Sequence, residues 1–257
     1  MAHVNQGYAS VFAACEAQST AHDHYRFRDS PAFHFLVAVG SQREGPDYEA
    51  LGRAASFDVD LCARYMKRPK SALGYANQQD YRKWDAIDSR HIMMSTFIFC
   101  TKDWPAGIRI VEIGGGFGNW VRLNHSVIDY AQWTIIDLTF VSRLQQWYLE
   151  HEIGPLADIK VELVDSEGYD RWKRSVDRGF DLVIGAHSLS ELDWNTFCDY
   201  FENVVCKAPA LFYATHRSRP SMELVEKKLN LIAQRFKEDR RFLSENGQVV
   251  NILFRSK

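Results

Sequence analysis

Val111-Glu-Ile-Gly-Gly-Gly-Phe-Gly-Asn-Trp120, followed by Trp133-Thr-Ile-Ile-Asp-Leu138, decides the reading of this chain. Ile108 to Ile113 is an apolar run that stops at three consecutive glycines, the pattern of a buried parallel strand turning sharply into a helix. Without side chains at that turn a ligand can approach the backbone, and the helix that follows opens with unpaired N–H groups. Gly114, Gly116 and Gly118 make G-x-G-x-G, whereas the dinucleotide fingerprint needs glycine at 119 and meets Asn119. The second run ends in Asp137, close to the separation of about 20 residues at which an acid accepts both hydrogen bonds of a ribose diol. Together the two runs read as a nucleotide site at strand ends.

Outward from this centre the organisation is regular. The alternation predicts strands at 108–113, 132–137, 159–164, 180–185 and 209–215, and helices at about 117–126, 140–151, 168–176, 193–204 and 221–236. This is the β-α-β order of a mainly parallel sheet covered on both faces. Arg241 to Ser244 and Val249 to Phe254, joined by Glu245-Asn-Gly-Gln248, predict a closing hairpin, because Asn-Gly favours tight-turn backbone angles. Before residue 105 the period changes. Tyr8 to Ser19, Asp47 to Met66 and Gln78 to Phe99 carry apolar groups at helical spacing, Ser30-Pro31 reads as a helix start and Arg43-Glu-Gly-Pro46 as a connection. Trp104-Pro-Ala-Gly107 separates the two parts.

The strand and acid motifs, with the later Asp181-Leu-Val-Ile-Gly-Ala-His-Ser-Leu-Ser-Glu191, resemble the class I S-adenosylmethionine-dependent methyltransferases. Within that class they are most similar to the sugar O-methyltransferases of bacterial and viral glycan pathways. The resemblance covers residues 105 to 257 and departs from the subfamily pattern at Thr139, where many members have proline. It implies an α/β fold: a Rossmann-like, mainly parallel seven-stranded sheet at 105–257 that binds S-adenosylmethionine, with residues 1–104 as an N-terminal helical cap and substrate lobe. It further implies that Glu112, Gly114, Gly116 and Gly118 line the methionine side, Asp137 with Leu138 the ribose, and Asp165 with Ser166 the adenine. Hydride chemistry on a nicotinamide cofactor and a silent scaffold that kept the fold are the competing readings.

Chemistry is expected at the carboxyl ends of the strands. His187 follows one strand by two residues, and Glu191 lies four further on; within one helical turn that spacing puts imidazole and carboxylate on one side. Glu191 would then orient His187 as a proton acceptor, although His187 could equally cap the helix or touch the cofactor. His216, closing Leu211 to His216, is the second candidate. Asp165, Glu191 and Asp193 offer oxygen ligands for a divalent metal, but no short motif gathers them. Neither H-E-x-x-H, a cysteine pair nor G-x-S-x-G occurs. Aromatic residues are frequent before the sheet: Tyr25, Phe27, Phe33, Phe35, Tyr75, Tyr81, Trp84 and Phe97. Most should pack the helical part, while Tyr25, Arg26, Arg28, Tyr75 and Arg82 are the residues to inspect for contact with a sugar or oligosaccharide acceptor. Phenolic and protein acceptors stay open.

The 31 basic and 33 acidic side chains nearly cancel, so no global field favours a nucleic acid. Lys67, Arg68 and Lys70 read as a solvated helix end. Five scattered cysteines without a C-x-x-C pair suit free thiols in a reducing compartment. With no apolar run near the roughly 18 residues of a membrane span and no secretory leader, a cytoplasmic protein is expected, of unspecified oligomeric state.

Overall fold

The computed structural model describes residues 9–20, 27, 28, 30, 47–68, 71, 73, 86–101, 103–176, 179–217, 221–244 and 247–257. Seven strands form one sheet: β1 (Ile108–Ile113), β2 (Tyr130–Asp137), β3 (Val161–Asp165), β4 (Leu182–Ala186), β5 (Ala210–His216), β6 (Phe236–Ser244) and β7 (Val249–Ser256). Their order is β3-β2-β1-β4-β5-β7-β6, with β1 to β5 parallel and β7 antiparallel to both β5 and β6. This is a mainly parallel Rossmann-like methyltransferase sheet with helical elements before it, as the resemblance implied.

The central strands are apolar on both faces because helices cover both. Ile108, Ile110, Trp133, Ile135 and Phe212 join one core with α4 (Ala86–Phe99), α5 (Asn119–Asn124) and α6 (Thr139–Glu152). Val111, Ile113, Ile136, Val183 and Leu211 join the other with α7 (Tyr169–Ser175), α9 (Trp194–Asn203) and α10 (Met222–Arg235). Of the earlier helices, α1 (Ala9–Thr20) contributes Cys15 to the first core, and α2 (Tyr48–Phe57) contributes Ala50 and Ala54. That core runs without a break into the sheet: Phe97 of α4 lies 4.6 Å from Phe242 and 6.3 Å from Phe212, ring centre to ring centre.

The expected single helix from Asp47 to Met66 is two, α2 and α3 (Val59–Met66), because Asp58 has extended backbone and its carboxylate caps Leu61 N–H. The hairpin pairs Ser244 with Val249, as read, but β6 begins at Phe236, directly after α10. Gly247 turns the hairpin with φ +81°. Pro31 and the rest of the helix expected to start there, the connection ending at Pro46, and Tyr25, Arg26, Phe33, Phe35, Tyr75, Tyr81, Arg82 and Trp84 lie outside the described residues.

Candidate functional site

Strand order reverses between β1 and β4, and the loops that leave these two strands meet. Gly114, Gly116 and Gly118 take φ of +74°, +57° and +88°, so the loop after β1 enters positive φ at every second residue until α5 starts at Asn119. A methyl group on Gly114 would lie 2.4 Å from Cβ of Ser188, the first residue of α8 (Ser188–Glu191), the short helix after β4. Ser188 Oγ donates to the Ile113 carbonyl. The glycine is therefore needed for the two loops to touch.

Asp137 ends β2 beside this loop. Its Oδ1 accepts from Leu138 N–H at 2.8 Å and its Oδ2 from the Gln145 amide at 2.8 Å; Gln145 also donates to the Gly116 carbonyl at 2.9 Å. Burial pushes the Asp137 carboxyl up to about 7, against the lowering effect of Leu138, Gln145 and, last, the backbone N–H groups of Gly115 and Gly116. Glu112 is buried beneath the loop with Oε2 accepting from Trp133 Nε1 at 2.9 Å. Burial raises it to about 8, offset in part by the Trp133 bond and reinforced by Asp137. Asp165 pairs with Asp137 in the β2–β3 register, and its Oδ1 accepts from Gly168 N–H at 2.7 Å. Ser166 Oγ lies 3.2 Å from Thr139 Oγ1, so the residue that replaces proline adds a hydroxyl contact across the two strand ends.

At the far side of the switch point His187 holds φ +66° and ψ −43°, a backbone that side chains rarely adopt. Its N–H donates to Ala214 O of β5, and its carbonyl accepts from Ser190 and Glu191 N–H, closing the expected helical turn. The His187 ring stacks on His216, with centres 4.5 Å apart and planes 24° apart. So the turn that carries His187 and Glu191 is joined to the end of β5, and two imidazoles share one edge of the sheet. Strain of this kind costs on the order of 1–3 kcal/mol and is retained where the surroundings over-determine it.

A residue that the motifs did not mark holds the turn from below. Lys228 of α10 is fully buried, and its ammonium donates to the carbonyls of Leu189, Ser190 and Leu192 at 3.1, 2.8 and 2.5 Å. Burial lowers it to about 8. A sequence signal existed: Val225, Lys228 and Ile232 share the buried stripe of α10, where a lysine has no place unless its charge is satisfied. Gln145 offered no comparable signal.

Asn119, where the dinucleotide fingerprint has glycine, bridges helices. Its amide donates to Asp88 Oδ1 at 3.0 Å, while its oxygen accepts from Arg122 Nε at 2.9 Å and Tyr148 O–H at 3.3 Å. Arg122 and Asp88 form a buried ion pair at 2.5 Å. Arg28 belongs to the same interior: it is 2% exposed, donates to Tyr148 Oη at 3.1 Å and lies 4.7 Å from the centre of the Phe117 ring. His91, stacked on Trp120, is lowered to about 4 by burial and is neutral.

Asp193 spends its carboxylate capping α9, on the N–H groups of Asn195 and Thr196 and the Thr196 hydroxyl. Among the described residues no group of three or more His, Cys, Asp and Glu side chains could hold a metal ion. Among the same residues no helix is long and apolar enough to cross a membrane.

No family model matches the sequence, and no curated protein matches it. Among solved structures the chain is similar to Thermoplasma acidophilum protein 1320, at 10% identity over 77% of this chain and 96% of that one, with a TM-score of 0.49. It is similar to the methyltransferase domain of bacterial CtHen1, at 14% identity over 57% and 89%, TM-score 0.44. A third is the mitomycin 7-O-methyltransferase MmcR, at 16% identity over 94% and 73%, TM-score 0.46. At these identities the likeness is one of fold.

Proposed function

We propose that the chain is an S-adenosylmethionine-dependent O-methyltransferase acting on a sugar hydroxyl of a glycan or glycan precursor. One observation carries this reading: where the strand order reverses, a glycine loop with three positive-φ residues is joined on one side to an acid at the next strand tip and on the other to the turn of a strained histidine stacked on a second histidine. The donor set fits the methyl donor. Asp137 accepts closely from Leu138 N–H and the Gln145 amide and more weakly from Gly115 and Gly116 N–H, and a ribose diol would take the place of the two weaker donors. Gly114, Gly116 and Gly118 would line the methionine side above Glu112, Leu138 would flank the ribose, and Asp165 and Ser166 the adenine.

Bound S-adenosylmethionine supplies a methyl group made electrophilic by its positive sulfonium. The remaining tasks fall to the chain: aligning the acceptor oxygen and taking its proton. Alignment of a reacting pair contributes several kcal/mol, with intramolecular models reaching about 7 to 11. His187, oriented by Glu191, takes the hydroxyl proton, and His216, stacked on it, holds the ring and offers a second polar contact. Residues 1–104 form the substrate lobe.

The test is a screen with isotopically labelled donor against sugars, small phenols and proteins. Label in a sugar supports the reading; label only in a phenol or a protein replaces the acceptor, and turnover that requires magnesium would move attention to Asp165, Glu191 and Asp193.

A further inference from the structure

Val249 pairs with His216 on one side and Ser244 on the other, so these three residues form a row across the carboxyl edge of β5, β7 and β6. Two residues lower, Ala214, Asn251 and Phe242 form the next row on the same face, and Ala214 and Phe242 belong to the core that α4 covers. Above that core, where α2 and α4 begin, lies a cleft of about 250 Å³ lined mainly by Asp47, Glu49, Arg53, Arg90, Ser244 and Gln248. The backbone of Gln248 accepts from Arg217 N–H, which ties this cleft to the residue after His216.

The lining has an unusual balance. Two guanidiniums and two carboxylates cancel in formal charge, and they stand as pairs, Arg90 with Asp47 at 3.3 Å and Arg53 with Glu49 at 3.4 Å. All four side chains are a quarter or more exposed, so the pairs themselves stabilise little and can exchange partners with a ligand. A guanidinium beside a carboxylate presents donors and acceptors together, which matches hydroxyls, since each hydroxyl both gives and accepts. Net neutrality disfavours a phosphate or a nucleic acid, and Ala50 and Met93 add an apolar patch to the polar wall, the combination that the apolar edge and the hydroxyls of a sugar ring need.

Distance adds a size. Ser244 lies two strands from His216, roughly 10 Å at the usual strand spacing. One sugar ring presented to His187 and His216 leaves Ser244 and the two ion pairs beyond it to a neighbouring unit.

We propose that this cleft is a distal acceptor subsite that holds a neutral sugar unit of a chain whose neighbouring unit faces His216 and His187. The acceptor is then an oligosaccharide or longer glycan. This rests on the sugar reading above, and the experiment separates the two. The full chain, saturated with S-adenosylhomocysteine, is applied to a printed array of neutral glycans from mono- to hexasaccharides, beside the double variant Glu49→Ala/Arg53→Ala. Both substituted side chains are solvent-facing on α2, and melting temperature and S-adenosylhomocysteine affinity report whether the variant is intact. The expected result is capture of di- or longer glycans at least about tenfold more tightly than the matching monosaccharide, a preference lost in the variant. Absence of binding to every glycan, binding without length preference, or an unchanged preference in the variant overturns the subsite. Length-dependent binding without methyl transfer to any sugar leaves the subsite standing and removes the methyltransferase reading. Transfer to sugars that is as efficient for monosaccharides as for longer glycans, and equally so in the variant, removes the subsite and leaves the methyltransferase reading standing.

Discussion

Asp137 and Glu112 hold their protons far more tightly than carboxylates in water, and the sign of the consequence follows from linkage. Both are raised by burial, Asp137 from 3.8 to about 7 and Glu112 from 4.5 to about 8. The folded state therefore binds more protons than the unfolded one between the ordinary and the raised values. Stability from these groups falls as pH rises through that window. Asp137→Asn is expected to narrow the difference in urea midpoint between pH 5.5 and pH 8, and an unchanged difference would refute the assignment. Ribose hydroxyls donate to the ionised form, so cofactor binding near pH 7 should release protons and tighten as pH rises. Calorimetry in two buffers of different ionisation enthalpy reads that release directly. For His187, Ala substitution is expected to slow transfer about a hundredfold, within the range of a positioned base, while cofactor affinity stays unchanged. Lost affinity would instead make His187 a binding residue.

At the scale of elements the central contact is between the glycine loop and the turn after β4. Gly114→Ala combines φ +74° with a 2.4 Å approach to Ser188, so it should cost about 1–3 kcal/mol of stability in chemical denaturation and displace α8. Lys228→Met keeps volume and removes the donor to three carbonyls. An expected loss of about 1–3 kcal/mol, with lower turnover but retained cofactor affinity, would identify Lys228 as a positioning residue. Equal stability and equal turnover would contradict that. The strands, the α8 turn and the hairpin were legible because alternation, glycine and Asn-Gly are local signals. The Asp58 break was missed because its cap sits inside one continuous helical period. The start of β6 at Phe236 was missed because no glycine or proline marks it off from α10. The Asp88, Asn119, Arg122, Tyr148 and Arg28 network was out of reach: its members are polar, lie up to 120 residues apart, and become neighbours only when α4, α5 and α6 pack. For the same reason Arg28 looked like an acceptor contact, and it is instead packed in the interior.

For the whole molecule, the helical part and the sheet share one core, in which Phe57, Phe97, Phe212 and Phe242 are in ring contact across α2, α4, β5 and β6. A fragment from residue 105 to 257 should accordingly lack a cooperative unfolding transition, since the faces of Phe212 and Phe242 would lie open; cooperative unfolding of that fragment would show two independent units. The central claim is narrower, that this fold holds a methyl donor at the β1–β4 switch point through Asp137. Isothermal titration of the full chain with S-adenosylhomocysteine, with NAD as the competing ligand and Asp137→Ala as the control, tests it most directly. The account predicts micromolar binding of S-adenosylhomocysteine, no binding of NAD, and loss of affinity on the order of a hundredfold in the variant, the effect of two charged hydrogen bonds. Selective binding of NAD, or S-adenosylhomocysteine affinity that survives Asp137→Ala, would contradict it.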